Sequence, residues 1–183
     1  REPLKMIAEQ ALRAGEIVHR VRGFARKGGL VTAPVAINDV VHATVSFAEF
    51  EARAHAVHFV LDLTEPLPPV QADQVQLEQV LSNLVKNGID AMSAISGERV
   101  LVIRTRVGAA GGVEIAVIDH GEGLAEAVRG DPFAPFATTK PDGVGLGLAI
   151  CRTIVENHSG RLWVESSTAQ GTTFCFSLPS AAA

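Results

Sequence analysis

No apolar run in this 183-residue chain approaches the roughly 20 residues that a bilayer-spanning helix needs, so no transmembrane segment is predicted. No charged-then-apolar leader opens it either, and it begins at Arg1 rather than Met, which fits a piece of a longer protein. Cysteine is scarce. Cys151 and Cys175 stand alone without metal-ligand spacing, which predicts a buried, reduced pair of the kind that suits the cytosol. Positive charge is not in excess: the formal net charge of −4 excludes a general nucleic-acid binder, whose affinity comes from a basic surface. There is no GxxxxGK[ST] loop, and no GxGxxG within a βαβ unit. The 47% hydrophobic content is that of an ordinary folded protein, with length for one domain and an appendage.

The appendage reads as one helix over residues 4–25. Leu4, Ile7, Ala11, Ala14, Val18, Val21 and Ala25 recur at alternating steps of three and four, a heptad seam. Lys5, Glu9, Arg13, Glu16, Arg20 and Arg22 lie between them, and Gly28-Gly29 supplies a stop. Such a helix would be about 33 Å long, which suits a bundle or coiled coil better than a helix lying on its own domain.

From about residue 35 the pattern is mixed. Val35–Ile37 reads as an edge strand. Asn38 or Asp39 can cap a helix running to about Ala54, and Asp73 can cap another from Gln74 to about Ile95. A third helix covers Leu146–His158, with Gly160 as its stop. Strands are predicted at 58–63, 99–107, 113–119, 161–166 and 172–178. Hairpin connections at 99–119 and 160–178 make those pairs antiparallel. The expected fold is α+β: a two-layer sandwich of a mixed, largely antiparallel sheet and about three helices, preceded by the long N-terminal helix.

Residues 119–148 concentrate the chemistry. Asp119-His120-Gly121-Glu122-Gly123 is a DxGxG turn, and Gly143-Val144-Gly145-Leu146-Gly147-Leu148 a GxGLGL turn. Asp119 closes the apolar strand 113–118, where a carboxylate can accept a hydrogen bond from an exocyclic amine such as adenine's; a plain capped turn is the alternative. Gly121 and Gly123 allow a flat ring to approach. Gly143, Gly145 and Gly147 expose backbone N–H groups at a helix N-terminus, an anion cradle. On the helix 74–95, Asn83 and Asn87 are four apart and share a face. A neutral amide oxygen suits Mg²⁺ already neutralised by phosphates, although the pair could equally tie down backbone. The stretch 124–142 reads as a loop without regular structure, a lid that docks through Phe133 and Phe136. It ends in Thr138-Thr139-Lys140, where Lys140 is either a phosphate partner or a solvated loop lysine. His55 and His58 have no third ligand nearby, and His120 reads as solvent-facing.

The ordered set is more specific than any member. QVLSNLVKNGIDAM (79–92), IDHGEGL (118–124), PFAPFATTK (132–140), GVGLGLAI (143–150) and GTTFCFSLP (171–179) together resemble the catalytic, ATP-binding domain of sensor histidine kinases, within the superfamily that includes gyrase-type ATPases. The first helix is similar to the second dimerisation helix of oxygen- and nitrogen-responsive sensor kinases. The resemblance implies a division into 1–30, part of a dimerisation and phosphotransfer domain, and 31–183, the catalytic domain. It implies ATP and Mg²⁺ as cofactors, with Asn87 as the metal ligand and Asn83 at the phosphate end. Asn83, Asn87 and Lys140 form the catalytic set. Asp119 would read the adenine amine with Gly121 and Gly123 beside the ring, and Thr172 would support it through Asp119 or a water. Phe133 and Phe136 would be lid aromatics. Gly143, Gly145 and Gly147 would wrap the phosphates, with Thr139, Leu146 and Leu148 completing the contacts.

In the hydrolytic relatives a Glu one turn before the metal-binding Asn activates water. Here Asn83 holds that place and is a poor base, which favours phosphoryl transfer to a protein over hydrolysis. The family's phosphoacceptor His lies in the helix before the one that opens this chain. His19 is in the wrong helix and is followed by Arg20, so the chain is expected to hold Mg·ATP without phosphorylating itself. A cytoplasmic domain is expected, whether or not the parent carries a membrane anchor. The expected partners are the protein's own dimerisation domain and a response regulator, with a homodimer at full length, a fragment that is either monomeric or paired in a non-native way through residues 4–25, and no nucleic acid. The competing readings are a nucleotide-binding regulatory module without transfer, and a serine-directed anti-sigma kinase of the same superfamily.

Overall fold

The computed structural model describes residues 32–108, 111–140 and 143–181. The seam helix expected over 4–25 therefore lies outside the described residues. Within them the order is β1 (Ala33–Val35), α1 (Ile37–Ala54), β2 (Val57–Leu63), β3 (Val70–Ala72), α2 (Gln74–Ala91), β4 (Arg99–Val107), β5 (Val113–Ile118), α3 (Glu126–Arg129), α4 (Gly147–Asn157), β6 (Arg161–Thr168) and β7 (Gly171–Leu178).

Five strands form one sheet in the order β2-β4-β5-β7-β6. β2 and β4 run parallel, joined through β3 and α2, while β4-β5, β5-β7 and β7-β6 are antiparallel. Alternation divides the sheet cleanly. One face carries Leu101, Ile103, Ile115, Val117, Phe174 and Phe176, all buried beneath α1, α2 and α4. The other face carries Asp62, whose carboxylate receives Arg104 Nε at 2.7 Å and Arg106 Nη2 at 2.6 Å. These guanidiniums hold the Asp62 carboxyl below its ordinary value. The architecture is the expected α+β sandwich of a mixed sheet and helices. No helix among the described residues is long and apolar enough to cross a membrane.

Four local expectations are corrected. The early strand is Ala33–Val35 rather than 35–37, because Ile37 already turns into the helix core. It pairs with β3, which the sequence did not announce, as a separate two-stranded ribbon. Neither Asn38 nor Asp39 caps α1, whose N-cap is Ala36 without a side-chain bond. Asn38 instead donates to the Thr64 carbonyl at 3.1 Å and accepts from Thr105 Oγ1 at 3.0 Å, tying α1 to β2 and β4. The segment after Leu124 is not wholly irregular, since it contains the single turn α3. Finally, α2 stops at Ala91 rather than Ile95. Its start is as expected: Asp73 Oδ1 accepts from Gln76 N–H at 3.2 Å.

The start of α2 is also tied to the end of α4. His158, the C-cap of α4, is buried, and its Nδ1 donates to the Ile154 carbonyl at 2.8 Å while its Nε2 accepts the Asp73 N–H at 3.0 Å. Replacing His158 by Phe strands the partly buried Asp73 donor and is expected to cost about 1–3 kcal/mol. The measurement is a urea midpoint that falls with unchanged slope; an unmoved midpoint would mean that water takes over the bond.

Candidate functional site

A cavity of about 510 Å³ opens between α2, the end of β5, the start of β7 and the segments 123–140 and 143–148. That volume lies within the range of small-ligand sites. Its walls include Asn83, Asn87, Asp119, Gly123, Thr139, Lys140, Gly143, Gly145, Gly147, Leu148 and Thr172. These residues are scattered over 90 positions of sequence, from 83 to 172, and the fold brings them to one place.

The base of α2 explains one wall. Leu77, Val80, Leu81, Leu84, Val85 and Ile89 are buried on one stripe, which turns Asn83 and Asn87 toward the cavity. The same face carries Lys86 and Asp90 to the cavity, two residues to which the sequence motifs assign no role. Their spacing from Asn83, at i+3 and i+7, was the available signal.

Asp119 stands at the inner end, 4% exposed. Its Oδ1 accepts Gly121 N–H at 2.8 Å and Thr172 N–H at 3.2 Å, and its own N–H donates to the Thr172 carbonyl at 3.0 Å. Both side-chain bonds fall on Oδ1, which leaves Oδ2 as the acceptor for a ligand. Burial pushes the Asp119 carboxyl above its ordinary value, and the two backbone donors offset only part of that rise. Thr172 thus acts on Asp119 through its backbone, with its hydroxyl near Ser167 Oγ at 3.5 Å.

The glycine-rich wall is shaped by close approach. Gly145 has φ +69°, and a Cβ there would lie 2.5 Å from the Phe136 carbonyl carbon. Phe136 N–H in turn donates to the Gly145 carbonyl at 2.8 Å, so the two motifs are stitched together. Lys140 Nζ reaches across to α2, 2.6 Å from Asp90 Oδ2 and 3.2 Å from Asn87 Oδ1.

Four sequence-predicted residues do not line the cavity. Gly121 lies behind it, against Ala91 and Asp119. Leu146 is the N-cap of α4, packed on the core. The two phenylalanines part company. Phe133 is not a lid face: it is 8% exposed, in the core, edge-on to Phe174 at 6.2 Å and 73°. Phe136 is 71% exposed and points out from the protein. The cavity also takes Val128 from α3 and Phe174 from β7, which only the fold could place there.

The remaining candidates carry no chemistry. Burial pushes both the Cys151 and the Cys175 thiols up to about 12, so neither supplies a thiolate. His120 is exposed, with Nδ1 against the Val100 carbonyl at 2.9 Å. Among the described residues no group of three or more His, Cys, Asp and Glu could hold a metal ion on its own.

Comparison with known proteins agrees with this geometry. Residues 72–182, more than half of the chain, match the family model described as histidine kinase-, DNA gyrase B- and HSP90-like ATPase. The sensor protein TdiS of Thauera aromatica is 42% identical over 168 residues, which is 91% of this chain and 31% of that protein. The chain spans about a third of the length of the curated relatives it matches. Full-length ShkA, solved in complex with AMPPNP, superposes with a TM-score of 0.78 at 28% identity, over 96% of this chain and 37% of that one. The histidine kinase ThkA, solved in complex with the response regulator protein TrrA, gives 0.76 at 25% identity, over 99% of this chain and 51% of that one. A buried carboxylate, an asparagine-bearing helix and a glycine-rich wall around one cavity, with these matches, mean that the chain belongs to the histidine kinase-, DNA gyrase B- and HSP90-like ATPase family, as an ATP-binding domain of the histidine kinase type.

Proposed function

We propose that this chain binds ATP together with Mg²⁺ and, within its full-length protein, transfers the γ-phosphoryl group to a histidine of the dimerisation domain. The observation that carries the reading is Asp119: a carboxylate 4% exposed, with Oδ1 engaged by two backbone donors. A largely buried carboxylate with an acceptor left open to the cavity favours a ligand that brings a donor. The exocyclic amine of adenine supplies one, whereas guanine presents a carbonyl oxygen on that edge.

The phosphate end suits a cation that arrives with its phosphates. Asn87 offers a neutral amide oxygen, Asn83 lies one turn before it, and among the described residues no acidic cage surrounds them. Mg²⁺ bound there would neutralise phosphate charge. Gly143, Gly145 and Gly147 would present backbone N–H groups to the phosphates, with Thr139 and Leu148 beside them.

The residues favour transfer over hydrolysis. Among the described residues the carboxylates lining the cavity are Asp90, which is paired with Lys140, and Asp119, at the other end. Glu78 bonds Gln74 at 2.9 Å and does not line the cavity. Among the described residues no further carboxylate lines the cavity to activate water, so catalysis would rest on positioning and charge stabilisation. The acceptor would be a histidine of the preceding dimerisation helix, residues 1–30 would contribute the second helix of that domain, and the full protein would act as a homodimer. The complex of ThkA with TrrA supports a response regulator as the next carrier.

Calorimetry tests the base site. ATP should bind and GTP should bind at least tenfold more weakly. Asp119→Asn should weaken ATP by tenfold or more, and Asn87→Ala should lose mainly the Mg²⁺ dependence. Equal affinity of Asp119→Asn and wild type would reduce Asp119 to a turn residue. A second test uses pH. Because the folded-state carboxyl of Asp119 is raised, its contribution to stability is fully present below the ordinary carboxylate value and is lost as pH rises through the raised value. Asp119→Asn should therefore be at least as stable as wild type at pH 7, the advantage vanishing in acid, as thermal unfolding would report. ATP affinity should change in the opposite sense, declining as pH falls and Asp119 protonates. Labelled ATP should leave no phosphohistidine on this chain alone, yet label a separately supplied dimerisation domain; phosphohistidine on the chain itself would refute the placing of the acceptor.

A further inference from the structure

We propose that Asp90 is a positioning residue that holds the lid lysine Lys140 on the amide oxygen of Asn87, so that the metal-nucleotide must exchange its cation for the Lys140 ammonium. The inference rests on the nucleotide reading above and adds to it a reason for metal dependence. Asn87 and Asp90 are three residues apart on α2, so both side chains face the same side of the cavity. Lys140 comes from the other wall. Its Nζ lies 2.6 Å from Asp90 Oδ2 and 3.2 Å from Asn87 Oδ1. An ammonium has three donors and no acceptor, so one group can satisfy both oxygens at once.

The lysine is presented there by its backbone. Lys140 N–H donates to Thr138 Oγ1 at 3.1 Å, and the Lys140 carbonyl accepts Gly143 N–H at 3.0 Å. The other cation on this part of α2, Lys86, also lines the cavity, but its Nζ is paired with Glu51 Oε1 of α1 at 3.7 Å. Asp90 therefore holds Lys140 rather than Lys86.

Two consequences follow from charge. Asn87 Oδ1 cannot serve the ammonium and a divalent cation together, because both draw on the same oxygen and repel each other. Metal arriving at Asn87 releases Lys140, whose long flexible stem can then follow the phosphates. Nucleotide without metal has no cation to offer in exchange. It must compete with Asp90 for Lys140. Asp90 thus selects against metal-free ATP. The pair is partly open to solvent, with side-chain exposures of 46% for Lys140 and 30% for Asp90, so its strength is modest and screened by salt.

The test is a double-mutant cycle on this chain with Asp90→Asn and Lys140→Met. ATP is titrated by calorimetry with Mg²⁺ and with EDTA, and lid opening is read as amide exchange of Ala137–Lys140 without nucleotide. Asp90→Asn should tighten ATP in EDTA by about 3- to 5-fold, the scale of one partly exposed ion pair, while changing Mg·ATP affinity less than 2-fold or so. It should also speed lid exchange. In the Lys140→Met background both effects of Asp90→Asn should disappear. An unchanged EDTA affinity, or the same change in both backgrounds, would overturn the latch; the second result would leave only direct repulsion by Asp90. If wild type binds no ATP under either condition, the nucleotide reading fails. Amide exchange still decides the latch in that case: lid exchange that Asp90→Asn leaves unchanged overturns it.

Discussion

A carboxylate taken out of water at the end of β5 sets terms that much of the site obeys. Ionised Asp119 is costly in the interior, and its raised carboxyl shows that the cost is only partly offset. The offset comes from Gly121 and Thr172, and both donors require tight backbone. The chain must turn immediately after Asp119, and the start of β7 must lie against it. Gly171 has φ +131° and sits so close to the Asp119 carbonyl that a Cβ would collide with it. Gly88 does the equivalent for the helix: a Cβ there would be 2.5 Å from Leu101 Cδ1 and 3.4 Å from Asp119 Cβ. Absence of side chains at two positions is thus what lets β7 and α2 close on one buried charge.

That closure also separates the cavity into two electrostatic ends. The inner end holds a buried carboxylate that offers one acceptor of fixed direction, which suits recognition. The outer end is half-exposed and carries the Lys140–Asp90 ion pair beside the neutral amides of Asn83 and Asn87. α2 connects the two, because Ala91 packs near Asp119 while Asn87 and Asp90 face the lid. Its own position is held at the far end by the bond from Asp73 N–H to His158, so α4, which follows the glycine wall, and α2 are held at one end by a buried side chain. The core between helices and sheet keeps both ends in register.

Much of this was legible before folding, for identifiable reasons. The stripe Leu77, Val80, Leu84 with an Asp73 cap is a local signal, since helix period and capping depend on neighbours within one turn or two. The antiparallel hairpins β4-β5 and β6-β7 are local as well. What failed was whatever a distant partner decided. Asn38 looks like a cap, but Thr105, 67 residues away, makes better use of it. β3 is three residues long and exists because β1 lies beside it. Phe133 and Phe136 look alike in sequence, yet one meets Phe174 in the core and the other meets solvent. A three-residue spacing in a proline-rich loop has no period from which to assign sides.

By itself, then, the sequence determined the α+β class, the helix α2 with its asparagine face, and the two glycine motifs with an acidic residue at the end of a strand. Each is a pattern complete within a short stretch. Only the tertiary structure decided which carboxylate is buried and by which donors, that Lys140 bridges Asn87 and Asp90 from 50 residues beyond Asp90, and which phenylalanine belongs to the core. Those are contacts between segments far apart in the chain. Their existence depends on desolvation and on close packing, and neither quantity is defined until the layers have met.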